Sequence, residues 1–304
     1  MPSNQSPLGA LPSRFKRERL LIIGCGDVGQ RVVRAQRHVR VVALTSSPAR
    51  VAALRAQGVT PVVGNLDAPA SLQRLAGWAT RVLHLAPPPL QGEVDPRTLA
   101  LTRVLMHRSA PRSVVYGSTS GVYGDCAGAW VAEHRLVNPM TPRAFRRVDA
   151  EAHVRHLGRL RANATRVSVL RIPGIYAPDR EGGTPRERLL RGTPVLARED
   201  DVFTNHIHAD DLARACQRAL WRGKPQRTYN INDDSQWLMG DYFDMAAGLY
   251  GLAKPPRISR VQAQTALPAM QLSFMSESRR MVNTRMKREL RLQLRYAKAQ
   301  DGLA

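Results

Sequence analysis

Short apolar runs alternate with helix-periodic stretches through the first two thirds of the chain, and that rhythm predicts strands and crossover helices in turn. Residues 20–23 (Leu-Leu-Ile-Ile) read as a buried strand, 29–37 as a helix and 39–44 as a second strand. A helix is expected over 48–57 with Ser47 as its N-cap, then a third strand over 59–63 and a helical stretch over 69–76. A fourth strand over 81–85 runs into the breaker Pro87-Pro88-Pro89. A helix over 96–109, a fifth strand over 113–116, a helix near 143–157 and a sixth strand over 166–171 follow. Repeated βα units of this kind predict an α/β protein with a doubly wound parallel sheet. After Arg171 the rhythm loosens. The stretch 177–203, rich in Gly, Pro and charge, reads as an irregular insertion; a helix from near Asp210 and a strand over 228–231 rejoin the sheet.

The first strand leads into Gly24-Cys25-Gly26-Asp27-Val28-Gly29, a G-x-G-x-x-G turn that opens a helix. In that setting the first glycine permits the tight turn and the second lets backbone approach a pyrophosphate. The third lets helix and strand pack closely, with the helix N-terminus facing the phosphates. The fold expected is therefore a Rossmann domain over 20–176 and about 204–232. A disordered basic leader (1–19) precedes it, and 177–203 with 233–304 form a small C-terminal substrate cap. An NAD site places an acid about 20 residues beyond the turn to hold the ribose hydroxyls. Here the second strand ends Ala43-Leu44-Thr45-Ser46-Ser47 with Arg50 beyond, and no acid is present. Hydroxyls and a guanidinium suit a 2′-phosphate, so NADP is expected ahead of NAD.

Charge changes the picture less than its size implies. The net charge is +22, yet the basic residues are spread along the whole chain and aromatic residues are 5%. That pattern argues against a nucleic-acid surface, which needs a local basic patch with stacking or motif support. The excess charge would draw anionic ligands by field focusing. Cys25, Cys126 and Cys216 are far apart and odd in number, which fits a reducing cytoplasm and no structural metal. No apolar run approaches the ~20 residues needed to span a bilayer. Near the C-terminus Met281, Met286, Leu290 and Leu294 trace a rough helical stripe, predicting an amphipathic cap helix with a solvated basic face.

Beyond the fifth strand, Tyr116-Gly117-Ser118-Thr119-Ser120-Gly121-Val122-Tyr123-Gly124-Asp125 resembles the S-S-x-x-V-Y-G segment of the extended short-chain dehydrogenases, the NAD-dependent epimerase/dehydratase family. Further segments match in order. Gly64-Asn65-Leu66-Asp67 looks like the adenine-contacting turn, and His84-Leu85-Ala86, with Pro87 after it, like the segment beside the cofactor ribose. The run 170–178, through Pro173, resembles the family's L-R-x-x-x-I-Y-G-P stretch beside the nicotinamide. His206 to Ala213 is similar to its H-V-x-D-L-A helix start, and 283–290 to its late N-x-x-x-x-x-E-L stretch. The resemblance implies a Rossmann fold and a nicotinamide cofactor that reaches Asn65, Leu66, Ala86, Pro87 and Pro173, in addition to Gly24, Gly26, Asp27, Val28 and Gly29 of the turn and Thr45, Ser46 and Arg50 beyond the second strand. It also implies a homodimer.

The resemblance breaks where the family does its proton transfer. Counting back from Glu151 puts Arg147 at the position of the family's lysine and Arg143 at that of its tyrosine. Arginine stays protonated, so the standard acid–base pair is missing. The candidates left are Ser118 and Thr119, which would orient a substrate oxygen, and Tyr123 as an acid. Arg143 and Arg147, one helical turn apart, would clamp an anion, with Arg180 and His208 as further substrate contacts. A small anionic substrate follows. Two readings stand at this point: an NADP-dependent oxidoreductase or epimerase-like enzyme, and a non-catalytic protein that senses NADP.

Overall fold

A computed structural model describes residues 18–36, 38–160 and 165–304. The expected leader lies outside these up to residue 17, as does position 37 at the expected end of the first helix. The alternation resolves into β1 (Arg19–Ile23), α1 (Asp27–Arg34), β2 (Arg40–Thr45), α2 (Arg50–Ala56), β3 (Thr60–Val63) and β4 (Arg81–His84). There follow α3 (Pro96–Met106), β5 (Ser113–Thr119), α4 (Pro142–Leu160), β6 (Arg166–Ile172), α5 (Ala209–Arg222) and β7 (Arg227–Asn230). The seven strands form one sheet in the order β7-β6-β5-β4-β1-β2-β3, and every pairing is parallel. The fold is the doubly wound Rossmann type.

Successive residues of a strand face opposite sides of the sheet, and both faces here are buried. Leu20 and Ile22 enter a core with Val28 and Val32 of α1 and Leu212 and Ala219 of α5. Leu21 and Ile23 enter the opposite core, with Leu101 and Val104 of α3 and Val154 and Leu157 of α4. The chain winds outward one way from β1 to β3 and the other way from β4 to β7. A crevice therefore opens at the carboxyl ends of β1 and β4, where ligands of such sheets bind.

Three local expectations shift. α2 starts at Arg50, and Ser47 does not cap it: its carbonyl accepts from the Arg50 N–H while its own N–H donates to Thr45 Oγ1. β5 runs on to Thr119, because Gly117, Ser118 and Thr119 keep pairing with Leu170, Arg171 and Ile172. The stretch Pro69–Leu75 is a 3-10 helix.

The insertion is structured. Its helix Arg186–Leu190 and strand Val195–Leu196 pack with α6 (Met239–Tyr250) in a separate core that contains Leu189, Val195, Tyr242 and Phe243. The C-terminal stripe does not form one helix. Only Thr284–Glu289 is helical, and Arg291 turns the chain with a φ of 51°. Its apolar residues are divided between two cores: Met281 packs with Val122 and Val131, whereas Met286, Leu290 and Leu292 join the sheet core beside α5. Among the described residues no helix is long and apolar enough to cross a membrane.

Candidate functional site

The glycine turn is built by contact. Gly24 has φ +81°, and a Cβ there would lie 2.4 Å from the Ala86 nitrogen. Ala86 is fixed by its N–H to the Ile23 carbonyl. A Cβ on Gly29 would meet the Gly24 carbonyl at 3.3 Å, so this glycine sets how closely α1 seats on β1. Gly26 differs: it precedes α1, and a side chain there would meet nothing within 4 Å. The turn therefore leaves open space in front of the N-terminus of α1.

A groove runs along the turn. At one end Thr45, Ser46, Arg50, Asn65, Leu66, Ala86 and Pro87 line it. Arg50 Nη2 donates to the Cys25 carbonyl at 2.5 Å, so its guanidinium is tied to the glycine turn although α2 carries it. Asn65 Oδ1 accepts from the Asp67 N–H, and the Asp67 carboxylate receives two hydrogen bonds from Arg97, each 2.6 Å. At the other end Gly26, Asp27, Val28, Gly29, Ser118, Thr119, Arg147, Pro173 and Arg180 line it. The cofactor residues expected from sequence thus share one groove across the switch point. The residues fit a dinucleotide: the turn presents backbone and a helix N-terminus to open space, as a pyrophosphate requires.

The expected reactive residues do not share one role. Thr119 lies where the groove meets a second cleft, and its Oγ1 accepts from the Gly121 N–H. Ser118 donates to Glu151 Oε1 at 2.7 Å, inside a buried network in which Arg171 grips the same carboxylate through Nε and Nη2. Tyr123 faces away from both clefts, 1% exposed, and its hydroxyl donates to Asn230 Oδ1 at 2.7 Å. Burial raises its pKa, so it is held as a neutral structural donor. His208 caps α5, its Nδ1 accepting from the Asp210 N–H, and its ring lies tilted against Tyr296. It lines neither cleft.

The arginines of α4 do turn inward. Arg147 Nη1 donates to the Gly117 carbonyl at 2.7 Å and to the Tyr116 hydroxyl at 3.0 Å. Arg143 enters the second cleft with its guanidinium 4.8 Å from the Phe274 ring centre. Arg180 lines groove and cleft alike, and its Nη1 donates to Asp27 Oδ2 at 2.7 Å. Asp27 also receives Arg31, which pairs with Asp179 and Asp210 as well. The negative charge at the mouth of the glycine turn is thereby offset by two arginines.

The second cleft, about 570 Å³, lies within the size range of small-molecule sites. Sequence reading alone did not assemble it. Phe203, Phe243 and Phe274, three of the five phenylalanines of the chain, are on its walls. Beside Gly121, Glu277 pairs with Arg279 at 2.8 Å, and both face the cleft. His206 lines it too, stacked on Tyr242 at 4.1 Å, and burial pulls its pKa down to about 4. Apart from His206, which opens a family-like stretch, these residues come from segments with no recurring motif, so only the fold brings them together. Among the described residues no group of three or more His, Cys, Asp or Glu is placed to hold a metal.

The family model for the NAD dependent epimerase/dehydratase family matches residues 20–232. The chain belongs to that family. A conserved protein of unknown function from Silicibacter pomeroyi DSS is 31% identical over 94% of this chain and 96% of its own, with a TM-score of 0.78. More distant structures share the fold. A UDP-glucose 4-epimerase from Thermotoga maritima, solved with UDP-glucose, is 16% identical with a TM-score of 0.75 over 94% of this chain and 96% of that one. A UDP-glucuronic acid 4-epimerase from Bacillus cereus, solved with UDP-glucuronic acid and NAD, is 18% identical with a TM-score of 0.72 over the same shares. No curated protein matches.

Proposed function

We propose that the chain is an NADP-dependent oxidoreductase or epimerase-like enzyme acting on a small anionic substrate. One observation carries the reading: the groove along the glycine turn passes Thr119, Pro173 and Arg180 directly into a cleft walled by arginines and aromatic rings. A nicotinamide placed by that groove would exchange hydride with a carbon held in that cleft. The family membership and the NAD-bound relatives support a dinucleotide. The preference for NADP rests on Thr45, Ser46 and Arg50, with no acid at the end of β2. A guanidinium tied to the Cys25 carbonyl is preorganised for a 2′-phosphate.

Each side chain has its part in this reading. Thr119 directs a substrate oxygen. Arg147, fixed by the Gly117 carbonyl, gives a permanent positive charge where the family places lysine and stabilises a developing oxyanion without itself yielding a proton. Arg143 on its aromatic shelf attracts the anionic substrate. Ser118 acts indirectly, by fixing Glu151 and so the end of β5.

The alternative, a protein that binds NADP without turnover, is favoured by the arginine at the tyrosine position. Against it stands Glu277, whose carboxyl faces the cleft beside Gly121: it would take the hydroxyl proton when hydride passes to NADP and return a proton drawn from solvent to the alkoxide when NADPH reduces a carbonyl, in place of the missing tyrosine. The test is NADPH oxidation at 340 nm with a panel of small oxo-carboxylates and oxo-phosphates, wild type against Thr119→Val. Turnover that Thr119→Val lowers by about 10²-fold, the scale of a lost orienting or proton-transferring group, supports the enzyme. Tight NADPH binding with no oxidation across the panel supports the sensor.

A further inference from the structure

The cleft beyond Thr119 shields polar atoms from water without giving them partners. Arg188 does so through Nε and Nη2, His206 through Nδ1 and Arg279 through Nε. Buried polar groups are almost always paired, so the unpaired ones on the walls of this cleft mark where polar groups of a ligand would be met. Arg279 is otherwise well held, by the Gly124 carbonyl and Glu277. The His206 ring is stacked on Tyr242. Arg188 has less: among the described residues it makes no hydrogen bond and no ion pair, and its guanidinium carbon lies over the Phe243 ring, 4.4 Å from the ring centre.

The other arginines facing this space are engaged or shared. Arg180 is bound to Asp27 and Arg279 to Glu277, while Arg143 lies against Phe274 within the field of Glu277. Arg188 feels burial, the like charge of Arg191 and the neighbouring Tyr242, and no carboxylate. A guanidinium keeps its charge even so. Arg188 is half-buried, yet its Nε and Nη2 are shut from water without partners; such groups weaken a fold, so their presence calls for a function outside folding.

We propose that Arg188 anchors an oxyanion of the substrate, a carboxylate or a phosphate, with the Phe243 ring packed against its guanidinium and His206 Nδ1 meeting a polar group of the same ligand. The planar fork of arginine suits either oxyanion in bidentate fashion. This deepens the functional reading above, since it rests on the second cleft being the substrate site and names the group by which the substrate is held.

The test needs neither cofactor nor turnover, so its failure is distinct from failure of the cofactor reading. Thermal unfolding is followed in inorganic phosphate, in malonate and in chloride at equal ionic strength. Phosphate stabilises proteins generally by exclusion, and the high positive charge adds a non-specific part, so variants decide the matter. Arg188→Met removes the anchor, and Arg159→Gln removes the same charge from an exposed position on α4.

The expected result is a saturable upward shift in Tm over chloride that survives Arg159→Gln. In Arg188→Met the half-saturating concentration rises about tenfold or more, the scale of a lost charge-assisted hydrogen bond. In chloride, Arg188→Met unfolds at the same temperature as wild type or higher. A shift with phosphate alone assigns a phosphoryl substrate, and one with malonate alone a carboxylate. Should the methionine variant not fold, Arg188→Lys carries the test: it keeps the charge without the fork and should weaken the anion effect by a smaller factor. An anion effect absent from wild type, or unchanged in the Arg188 variants, overturns the proposal.

Discussion

At the residue scale, two of the three glycines of the turn make opposite predictions from one motif. Gly24 has a left-handed φ and backbone 2.4 Å from where a Cβ would sit, so Gly24→Ala should destabilise the fold by roughly 2 kcal/mol or more. Gly26 has open space around it and precedes α1, where aspartate is a good N-cap, so Gly26→Asp should fold with undiminished stability. The added carboxylate would occupy the space expected for a pyrophosphate and abolish dinucleotide binding. Denaturant unfolding of both variants, with a cofactor titration of Gly26→Asp, checks the pair. Equal stability losses in the two would contradict this account of the turn. The groove residues were legible in sequence because each sits in a motif set by backbone geometry. Ser118, Tyr123 and His208 were harder to place, since sequence names a hydroxyl or imidazole but not its partner. Here the partners are Glu151, Asn230 and the Asp210 N–H.

At the scale of elements, the strand and helix periods located the sheet because both its faces are buried, and Leu20 to Ile23 divides cleanly between two cores. Lengths were less legible: β5 gains three residues through pairing with β6, a tertiary effect no local pattern encodes. The C-terminal stripe misled because its apolar positions serve separate cores. Arg31, 8% exposed, ties α1 to the insertion and to α5 through Asp27, Asp179 and Asp210. Arg31→Leu leaves three part-exposed carboxylates near one another and should cost about 1–3 kcal/mol of stability, measured by urea unfolding. A loss below 1 kcal/mol would show that the network does not join these elements.

Asp233 gives a second test at this scale. Burial pushes its carboxyl up to about 7, with Asp234 and Asp211 adding to the effect, against an ordinary value of 3.8. Between these values the folded chain keeps a proton that the unfolded chain releases, so this group lowers stability as pH rises from about 4 to about 7. Asparagine can still accept the Ser235 N–H at that position. Asp233→Asn should therefore gain stability relative to wild type over that window, by on the order of 1–3 kcal/mol at pH 8, and little at pH 4. A difference between the two proteins that stays constant with pH would refute this.

At the scale of the whole molecule, the parallel sheet sets a groove at its switch point, and the structured insertion with the 274–279 segment walls a second cleft against it. The first was readable from the order of the motifs. The second was not, because Arg188, His206 and the Phe274–Glu277 stretch come from three separate segments and acquire meaning only through packing. The net charge of +22 belongs to this scale too. It raises the local concentration of any anion, so affinities for cofactor and substrate should fall with ionic strength.

The central claim is that the groove takes a dinucleotide and selects its 2′-phosphate through Arg50. Calorimetric titration of wild type and Arg50→Ala with NADP and NAD at one ionic strength tests it most directly. The account predicts tighter binding of NADP than of NAD to wild type, and a preference that falls about tenfold or more in Arg50→Ala while NAD affinity holds. Equal or stronger binding of NAD to wild type would contradict the selection, and binding of neither would contradict the dinucleotide site itself.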